Sequence, residues 1–381
     1  MLEAFLNNKP LFYDKIDYER MPRVYASIKQ KIKLPKIIHI VGTNGKGTTG
    51  RFLASALYSL GKSTGHYTSP HILKFNERIW LNGRDIDDDA LNAAHTELLS
   101  LLSKNDANSL SYFEYTTLLG IVLFKECEYL VLEAGLGGQR DATAVFENIL
   151  TIVVPIDKDH EAFLGTTINE IATTKILAVK TQLLVGKQPH KEVYTIAKKI
   201  CDDKGLALHL YEENLDKEDE LKVSSIQKSN NLEPYLVENL KLCISALKII
   251  GLKYESQNLR KSRLFGRLSR ISKNIIVDVG HNTLAAKSIF ESLKEDKYTL
   301  VYNSYKDKNY KDILIILKEI IQSVAIIEIE DERRVPLHDL EKVLDDLNIK
   351  HTKFKKINRE ENYLVFGSFS VVEAFLKDYR E

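Results

Sequence analysis

The sequence has almost no net charge and few cysteines. Its 54 Lys and Arg residues nearly balance 53 Asp and Glu residues, which gives a formal net charge of +1. This balance excludes the strong positive field with which proteins attract nucleic acid or anionic membranes, so a small-molecule substrate is expected. Cys127, Cys201 and Cys243 are scattered without metal-type spacing, which predicts structural thiols in a reducing compartment rather than a disulfide framework.

Long apolar runs are also missing. No stretch approaches the length needed to cross a membrane, and residues 1–21 lack the basic region, apolar core and cleavage site of a signal peptide. We therefore expect a cytoplasmic monomer that binds neither membranes nor nucleic acid. A chain of 381 residues is longer than a single hydrophobic core usually supports, so two domains are expected.

Apolar segments rich in Ile, Val and Tyr alternate with helical patterns in both halves of the chain. Near-continuous apolar strands separated by helices predict parallel sheets that are covered on both faces. The predicted strands are KIIHIVG, EYLVLEAG, NILTIVVPI and QLLVGK in the first part, and NIIVDVG, YTLVYNS, SVAIIEI and NYLVFGS in the last. Both halves are therefore predicted to be α/β.

Polar segments between the two strand series suggest the domain boundary. Residues 210–231 are predicted to form a loop or a solvated hairpin, followed by a helix near residues 234–250. Residues 255–267 are basic and loosely patterned, and they immediately precede the second strand series. We predict a first domain over residues 1–255, a linker over 256–267 and a second domain over 268–381.

The stretch KIIHIVGTNGKGTTGRFLASAL, residues 36–57, predicts a strand, a glycine-rich loop and an amphipathic helix. Glycines let backbone amides approach phosphate oxygens, a helix N-terminus favours negative charge, and Lys46 and a threonine hydroxyl could contact phosphate and Mg²⁺. The spacing is shorter than in the common P-loop, since only two residues separate Gly42 from Gly45. A glycine-rich turn with a surface lysine is the alternative, but Lys and two Thr at the helix entrance favour phosphate binding.

Other polar residues follow predicted strands, where open α/β sheets bind their ligands. Glu133 and His160 would be reasonable magnesium ligands, although Mg²⁺ prefers oxygen and His160 could instead be an ordinary hydrogen-bonded loop histidine. Arg267 and Asp278 in the second part could hold a nucleotide's phosphate and its ribose or base. Taken singly, each could equally be a surface ion-pair member or a helix cap.

Lys175 lies on the apolar stripe of a predicted helix that opens with a capping box of Thr167 and Glu170. One interpretation is that its side chain snorkels to solvent. The other is that its amine is held at the site, where burial would lower its pKa and permit chemistry on nitrogen.

Several motifs recur in an order typical of one family. They are GTNGKGTT, TSPHILKFNERIWLNG, FEYTT, EAGLGGQRDAT, DKDHEAFLGTTINEIATTK, GRL and DVGHN. From about Lys15 to Asn282 the chain resembles the folylpolyglutamate synthase and dihydrofolate synthase family of the Mur ligase superfamily, and more weakly beyond, through KDK at 306–308 and FGS at 366–368. The pairs TSPH with FNER and GLGG with DAT point to the folate branch rather than to the cell-wall ligases.

The resemblance implies an N-terminal P-loop-type ATPase domain with a mostly parallel sheet, a smaller C-terminal Rossmann-like domain, and an active site in the interdomain cleft. It implies that the carboxylate of dihydropteroate, and also of reduced folates, attacks the γ-phosphate of ATP. The amino group of L-glutamate then displaces the acyl phosphate. This chemistry needs charge neutralisation and positioning more than a protein nucleophile. Mg²⁺ is the implied cofactor, and ATP is the co-substrate.

The resemblance also implies roles for individual residues. Its catalytic residues would be Lys46, His160 and Lys175, and Lys175 matches a lysine that becomes N-carboxylated in such ligases. Its Mg²⁺ ligands would be Ser69, Glu133 and His160. ATP would be bound by Asn44, Gly45, Lys46, Gly47, Thr48, Thr49, Asn239, Arg267, Asp278 and His281. The pterin or folate pocket would be lined by Lys15, Ile16, Asp17, Tyr18, Tyr112, Phe113, Glu114, Tyr115, Arg140, Asp141 and Ala142, whose aromatic members could instead be ordinary core residues.

The chain departs from the family pattern at four places. KILA stands for KAGI after Lys175, QRDAT for RLDAT, Tyr235-Leu236 for HQ before Asn239, and DVGHNT for DGAHNP. These changes bear on substrate preference and nucleotide binding rather than on the reaction class. Two other functions stay open: a ligase of the same superfamily that acts on a non-folate acid, and a nucleotide-binding protein without catalysis.

Overall fold

A computed structural model describes residues 1–9, 17–259 and 263–380. The chain forms two compact units, Met1–Leu232 with Leu236–Arg263 and Glu233–Tyr235 with Leu264–Glu381. The segment predicted as a linker contains a short helix, and its Leu259 is buried in the core of the first unit. The predicted functional domains and linker stay predictions.

The first unit is built on a mixed sheet of eight strands. They are β1 (Lys36–Val41), β2 (Thr64–Tyr67), β3 (Ile79–Leu81), β4 (Arg84–Asp85), β5 (Tyr129–Glu133), β6 (Leu150–Val153), β7 (Gln182–Val185) and β8 (Ala207–Leu210). Their order is β4-β3-β2-β5-β1-β6-β7-β8. All neighbours are parallel except β3, which runs antiparallel to β2 and β4.

Helices cover this sheet. They are α1 (Leu2–Asn7), α2 (Arg20–Ile28), α3 (Lys46–Ser59), α4 (Asp88–Leu101), α5 (Lys104–Ser109), α6 (Tyr112–Phe124), α7 (Glu161–Leu164), α8 (Ile168–Ile176), α9 (Glu192–Lys204), α10 (Lys217–Asn230), α11 (Pro234–Ile249) and α12 (Ser256–Leu259). Among the described residues, none of these helices or those of the second unit is long and apolar enough to span a membrane. All three cysteines are free thiols.

Strand register places the ends of four central strands at one edge of the sheet. Tyr67 of β2 pairs with Leu132 of β5, Ile40 of β1 pairs with Glu133, and Val41 pairs with Val153 of β6. The loops that leave these strands are therefore neighbours, as expected where parallel sheets bind ligands.

The second unit contains a six-stranded sheet of its own. Its elements are β9 (Ser269–Ser272), β10 (Ile275–Val277), α13 (Thr283–Leu293), β11 (Tyr298–Tyr302), α14 (Tyr310–Leu317), β12 (Ile321–Ile326), α15 (Leu337–Asp346), β13 (His351–Lys353), β14 (Tyr363–Phe366) and α16 (Phe369–Arg380). The order is β13-β12-β11-β14-β10-β9, with only β9 antiparallel. The prediction of two α/β halves with mostly parallel sheets is confirmed, and all eight predicted strands are present.

The prediction of a loop or hairpin over residues 210–231 is wrong, because this segment contains α10. Asp216 caps the helix by accepting hydrogen bonds from the amides of Glu218 and Asp219. Val223 and Ile226 are buried in the core of the first unit. These two apolar positions are too few, among many charged residues, to reveal a helical stripe. The helix predicted near residues 234–250 is present as α11.

Asp219 joins α10 to the chain that follows it. Its buried carboxylate accepts hydrogen bonds from Lys248 Nζ at 2.6 Å and from the Tyr254 hydroxyl at 2.5 Å. It also accepts one from the amide of Asp216 at 2.9 Å. A carboxylate with three donors stabilises the helix, whereas its removal leaves those donors without an acceptor.

Asp219→Ala should therefore lower the free energy of unfolding of the first unit by about 2–4 kcal/mol. Trp80 is the only tryptophan in the sequence and is buried in the same core, so urea unfolding followed by its fluorescence reports on this unit. Glu220→Ala on the same helix is the control, because its ion pair with Lys241 is exposed and should contribute less than about 1 kcal/mol. Equal losses in the two variants would contradict this assignment.

Candidate active site

The glycine-rich loop after β1 is shaped by close packing. Gly42 has φ 140°, and a Cβ there would lie 2.3 Å from the Val154 side chain. The amides of Thr43 and Asn44 both donate to the carbonyl of Pro155, at 2.9 and 3.2 Å. The loop is thus held against the segment that leaves β6, and a side chain at Gly42 would push the two apart.

The loop delivers Gly45, with φ 93°, to the N-terminus of α3. The first intrahelical bond runs from the Thr49 amide to the Gly45 carbonyl, so the preceding amides of the helix have no partner within it and its dipole favours an anion. Asn239 of α11 packs against this turn. Its side-chain oxygen accepts a hydrogen bond from the Thr49 hydroxyl at 3.3 Å.

Thr48 provides a test of whether a ligand fits here. Its hydroxyl is buried and has no hydrogen-bond partner among the described residues. Buried polar atoms normally have a partner, and one without it needs an explanation. A hydroxyl at a helix entrance rich in amides suits a phosphate oxygen or Mg²⁺, so this residue fits the predicted ligands.

Two lysine amines converge on one backbone carbonyl of this loop. Lys46 Nζ lies 3.3 Å from the carbonyl oxygen of Gly42, and Lys175 Nζ donates to the same oxygen at 3.0 Å. The Lys175 side chain is buried and does not snorkel to solvent. Burial, helped by the charge of Lys46, lowers the pKa of Lys175 to about 7, although Asp159 and Asp141 act in the opposite direction.

Local packing positions the Lys175 side chain toward the glycine-rich loop after β1. The capping box of Thr167 and Glu170 is present and starts α8, as predicted. Gly138 lies directly against this helix, because a Cβ there would come within 2.3 Å of the Lys175 carbonyl oxygen. Lys175 thus sits in the last turn of a helix held between the loop after β1 and the glycine-rich loop after β5.

Glu133 faces the same group from the end of β5. One of its carboxylate oxygens accepts a hydrogen bond from the Thr68 hydroxyl, and the other lies 3.9 Å from Lys46 Nζ. Ser69 follows Thr68 directly, beyond the end of β2, which is the neighbour of β5. The structure thus brings the segment of Ser69, Glu133 and Lys46 to one edge of the sheet.

His160 precedes α7 and is exposed, with its backbone at φ 53°. Its amide donates to the side chain of Asp159 at 2.9 Å. Among the residues that the structure describes, no three His, Cys, Asp or Glu side chains are grouped closely enough to hold a metal ion. A magnesium site of Ser69, Glu133 and His160 therefore stays a prediction.

Two of the predicted pterin-binding residues, Lys15 and Ile16, lie outside the described residues. Asp17 accepts a hydrogen bond from the amide of Glu19 at 3.1 Å. The ring of Tyr18 lies 4.6 Å from the guanidinium of Arg140. The structure thus brings an exposed aromatic ring next to a cation, and both residues are among those predicted to bind the pterin.

The four predicted residues at the start of α6 divide into two pairs. Tyr112 and Phe113 are partly exposed. Glu114 instead pairs with Arg20 at 2.8 Å and caps its own helix. The ring of Tyr115 is fully buried in the core. Glu114 and Tyr115 thus have structural contacts, and a pterin-binding role for any of the four residues stays a prediction.

The sequence did not predict the buried hydrogen bonds that link Asp141 to Thr143 and His39. Asp141 and its neighbour Ala142 are both buried. Asp141 accepts a hydrogen bond from the Thr143 hydroxyl at 2.5 Å, and this hydroxyl lies 2.7 Å from His39 Nε2. Because that hydroxyl hydrogen points to Asp141, His39 must donate through Nε2. Burial lowers the pKa of His39 to about 4, which keeps the ring neutral.

In the second unit, Arg267 and Asp278 lie close enough to interact electrostatically. The Asp278 carboxylate accepts hydrogen bonds from the amides of Leu268 and Gly280, at 2.9 and 2.7 Å. Burial raises its pKa, while the charge of Arg267 opposes the shift. His281 Nδ1 lies 3.3 Å from the Val279 carbonyl oxygen. The ATP contacts of these residues stay predictions.

The sequence was compared with protein families and with individual proteins of known function. No family model matches the chain. It is 30% identical over 375 residues to the dihydrofolate synthase/folylpolyglutamate synthase of Buchnera aphidicola subsp. Schizaphis graminum, which covers 89% of this chain and 87% of that protein.

Solved structures are similar over the whole chain. The crystal structure of Helicobacter pylori folylpolyglutamate synthetase is 37% identical, has a TM-score of 0.82, and covers 100% of this chain and 98% of that one. The bifunctional folylpolyglutamate synthase/dihydrofolate synthase of Yersinia pestis, complexed with AMPPNP and a Mn ion, has a TM-score of 0.85 and covers 100% and 97%. At 22% identity the second match shows the fold alone. The chain belongs to the dihydrofolate synthase/folylpolyglutamate synthase family.

Proposed function

We propose that this protein is an ATP-dependent ligase that adds L-glutamate to dihydropteroate, and also to reduced folates, through an acyl phosphate. The observation that carries the proposal is the convergence of Lys46 and Lys175 on the carbonyl of Gly42. One buried and one partly buried amine beside a helix N-terminus favour a highly charged anion, and the triphosphate of ATP is such an anion. The family to which the chain belongs supports glutamate and a folate-type acid as the other substrates.

The reaction proceeds in two displacements. A carboxylate oxygen of the acid substrate attacks the γ-phosphorus of ATP, the bond to the β-γ bridging oxygen breaks, and ADP leaves. The amine nitrogen of glutamate then attacks the acyl carbon, inorganic phosphate leaves, and the nitrogen loses a proton. Lys46 and the first amides of α3 stabilise the charge on the transferred phosphoryl group in both steps.

Mg²⁺ belongs to the same proposal. Ser69, Glu133 and His160 would hold it, with Thr48 as a further oxygen donor, since its hydroxyl has no hydrogen-bond partner in the described part of the chain. When bound, the ion would neutralise charge on the phosphate oxygens. Thr68 orients Glu133 by donating a hydrogen bond to its carboxylate.

Lys175 is proposed to act as an N-carboxylated side chain. Its neutral amine would add to CO₂, forming a nitrogen–carbon bond and releasing one proton. A pKa of about 7 makes the neutral amine abundant near neutral pH. The product carries negative charge where the free lysine would repel Lys46, so it removes an unfavourable contact and supplies oxygen ligands.

The remaining substrate contacts complete the proposal. Tyr112 and Phe113 would stack on the pterin ring, with Tyr18 and Arg140 at the other side of the pocket. Asn239, Arg267, Asp278 and His281 would bind ATP.

The test is a paired assay with labelled L-glutamate, ATP and millimolar Mg²⁺, with dihydropteroate or tetrahydrofolate as acceptor. We expect an amide product and one ADP per bond formed with each acceptor. Turnover with dihydropteroate alone would restrict the protein to dihydrofolate synthesis. Absence of turnover with both acceptors would overturn the proposal in favour of another acid or of binding without catalysis.

Substitution of Lys46 tests whether this turnover takes place at the proposed site. Lys46→Ala should lower kcat by at least about 100-fold, because the developing phosphate charge loses its nearest cation. Lys62→Ala is the matched control, since Lys62 also pairs with a glutamate, Glu128, but at the opposite end of β2. Trp80 fluorescence should be unchanged in both variants.

The state of Lys175 is tested with ¹³C-labelled bicarbonate. We expect a carbamate resonance in the wild-type protein that weakens as pH falls below about 7, because protonation removes the nucleophilic amine. Lys175→Ala should lack this resonance and be nearly inactive, and short carboxylic acids should partly restore its activity.

Lys204→Ala is the control, because Lys204 also donates to backbone carbonyls, of Leu177 and Val179, but is exposed. It should keep both the resonance and the activity. A carbamate signal that survives in Lys175→Ala, or an active Lys175→Ala variant without added acid, would refute the role of this lysine.

A further inference from the structure

We propose that Gln188 is a positioning residue that holds the phosphate-binding loop in shape without contacting the nucleotide. The inference rests on the proposed function in one respect, namely that ATP phosphates bind at the loop after β1. Gln188 lies just beyond β7, and no sequence motif drew attention to it.

One side chain ties together two neighbouring strand ends. Gln188 Nε2 donates to the carbonyls of Gly186 at 3.1 Å and Val154 at 3.3 Å. Its Oε1 accepts a hydrogen bond from the amide of Ile156 at 2.9 Å. The amide group of Gln188 therefore fixes the chain on both sides of Pro155.

Pro155 is the residue that holds the phosphate-binding loop. Its carbonyl accepts the amide hydrogens of Thr43 and Asn44. The next residue but one, Asp157, adds two contacts, because its carbonyl accepts from the Thr43 hydroxyl at 3.0 Å and its amide donates to that hydroxyl at 3.1 Å. Residues 155–157 are thus a platform on which the loop rests, and Gln188 fixes this platform.

Gln188 is itself held in place from α9. Its own amide donates to the hydroxyl of Tyr194 at 2.9 Å. His190 adds a second link from the same segment, with its Nε2 3.0 Å from the carboxylate of Asp157. The platform is therefore anchored to α9 and to the segment that precedes it.

Loss of this support should disturb phosphate binding rather than the fold. A displacement of about 1 Å at a catalytic site can lower the rate about 100-fold, because reacting groups leave their productive geometry. The core of the first unit does not depend on Gln188, whose side chain is only partly buried. We expect the KM for ATP to rise about tenfold or more, with a smaller change in the KM for glutamate.

The experiment compares Gln188→Met with Gln182→Met. Gln182 is the first residue of β7, the strand that precedes Gln188. It is also partly buried and donates to the carbonyl of Ile149 at 3.0 Å, but it lies at the end of β7 remote from the phosphate-binding loop. Each substitution preserves much of the side-chain volume and removes amide hydrogen bonds. Gln188→Glu retains the acceptor for Ile156 and loses the donor to the carbonyls, which separates the two contributions.

Two readouts are measured for each variant: the KM values of the ligase reaction, and the Kd of ADP with Mg²⁺ by titration calorimetry. We expect both the KM for ATP and the Kd of ADP to rise in Gln188→Met and to be unchanged in Gln182→Met. Urea midpoints from Trp80 fluorescence should shift by similar small amounts in the two variants.

Equal effects of the two substitutions on nucleotide binding, or an unchanged Kd in Gln188→Met, would overturn the inference. The calorimetric readout separates this outcome from failure of the proposed reaction. A wild-type protein that binds ADP but forms no amide would refute the ligase proposal while leaving the Gln188 comparison valid. A wild-type protein that binds no nucleotide would overturn both.

Discussion

The shared carbonyl of Gly42 is the contact on which the account of this protein depends. The charge of Lys46 opposes a second positive charge on Lys175, and burial of Lys175 makes that charge more costly. Loss of the Lys175 proton, or binding of an anion beside the two amines, relieves this repulsion. The pKa of about 7 for Lys175 means that this amine readily loses its proton. The neighbouring amides at the entrance of α3 favour the binding of an anion.

Close backbone packing is what makes this contact possible. Gly42 allows the loop to meet Val154, and Gly138 allows α8 to bring the Lys175 backbone against the loop after β5. Hydrogen bonds from Thr43 and Asn44 to Pro155 then hold the loop before any ligand arrives. A site prepared in this way needs little reorganisation when charge develops in the reaction, which is the main contribution that a protein makes to phosphoryl transfer.

The sequence predicted those parts of the molecule that have a periodic or local signal. The eight strands are predictable because each is a nearly continuous apolar run, and Lys175 stands out because it interrupts an apolar stripe. The helix α10 was missed because only Val223 and Ile226 mark its buried face among charged residues. The capping residue Asp216 is the local signal that marks the start of this helix.

The supporting residues of the site could not be predicted for a different reason. Thr68 and His39 act through partners 65 and 104 residues away along the chain. Gln188 acts on backbone carbonyls, which every residue has and no sequence pattern reveals. Such contacts become visible only when the fold has brought the strand ends together.

The central claim is that a carboxylate oxygen of the acid substrate becomes an oxygen of the phosphate released. The most direct measurement uses dihydropteroate labelled with ¹⁸O in both carboxylate oxygens, with ATP, Mg²⁺ and L-glutamate. Mass spectrometry of the inorganic phosphate after one turnover should find one ¹⁸O atom per phosphate. Amide formation that releases unlabelled phosphate would contradict the acyl-phosphate route and the role proposed for the site at Gly42.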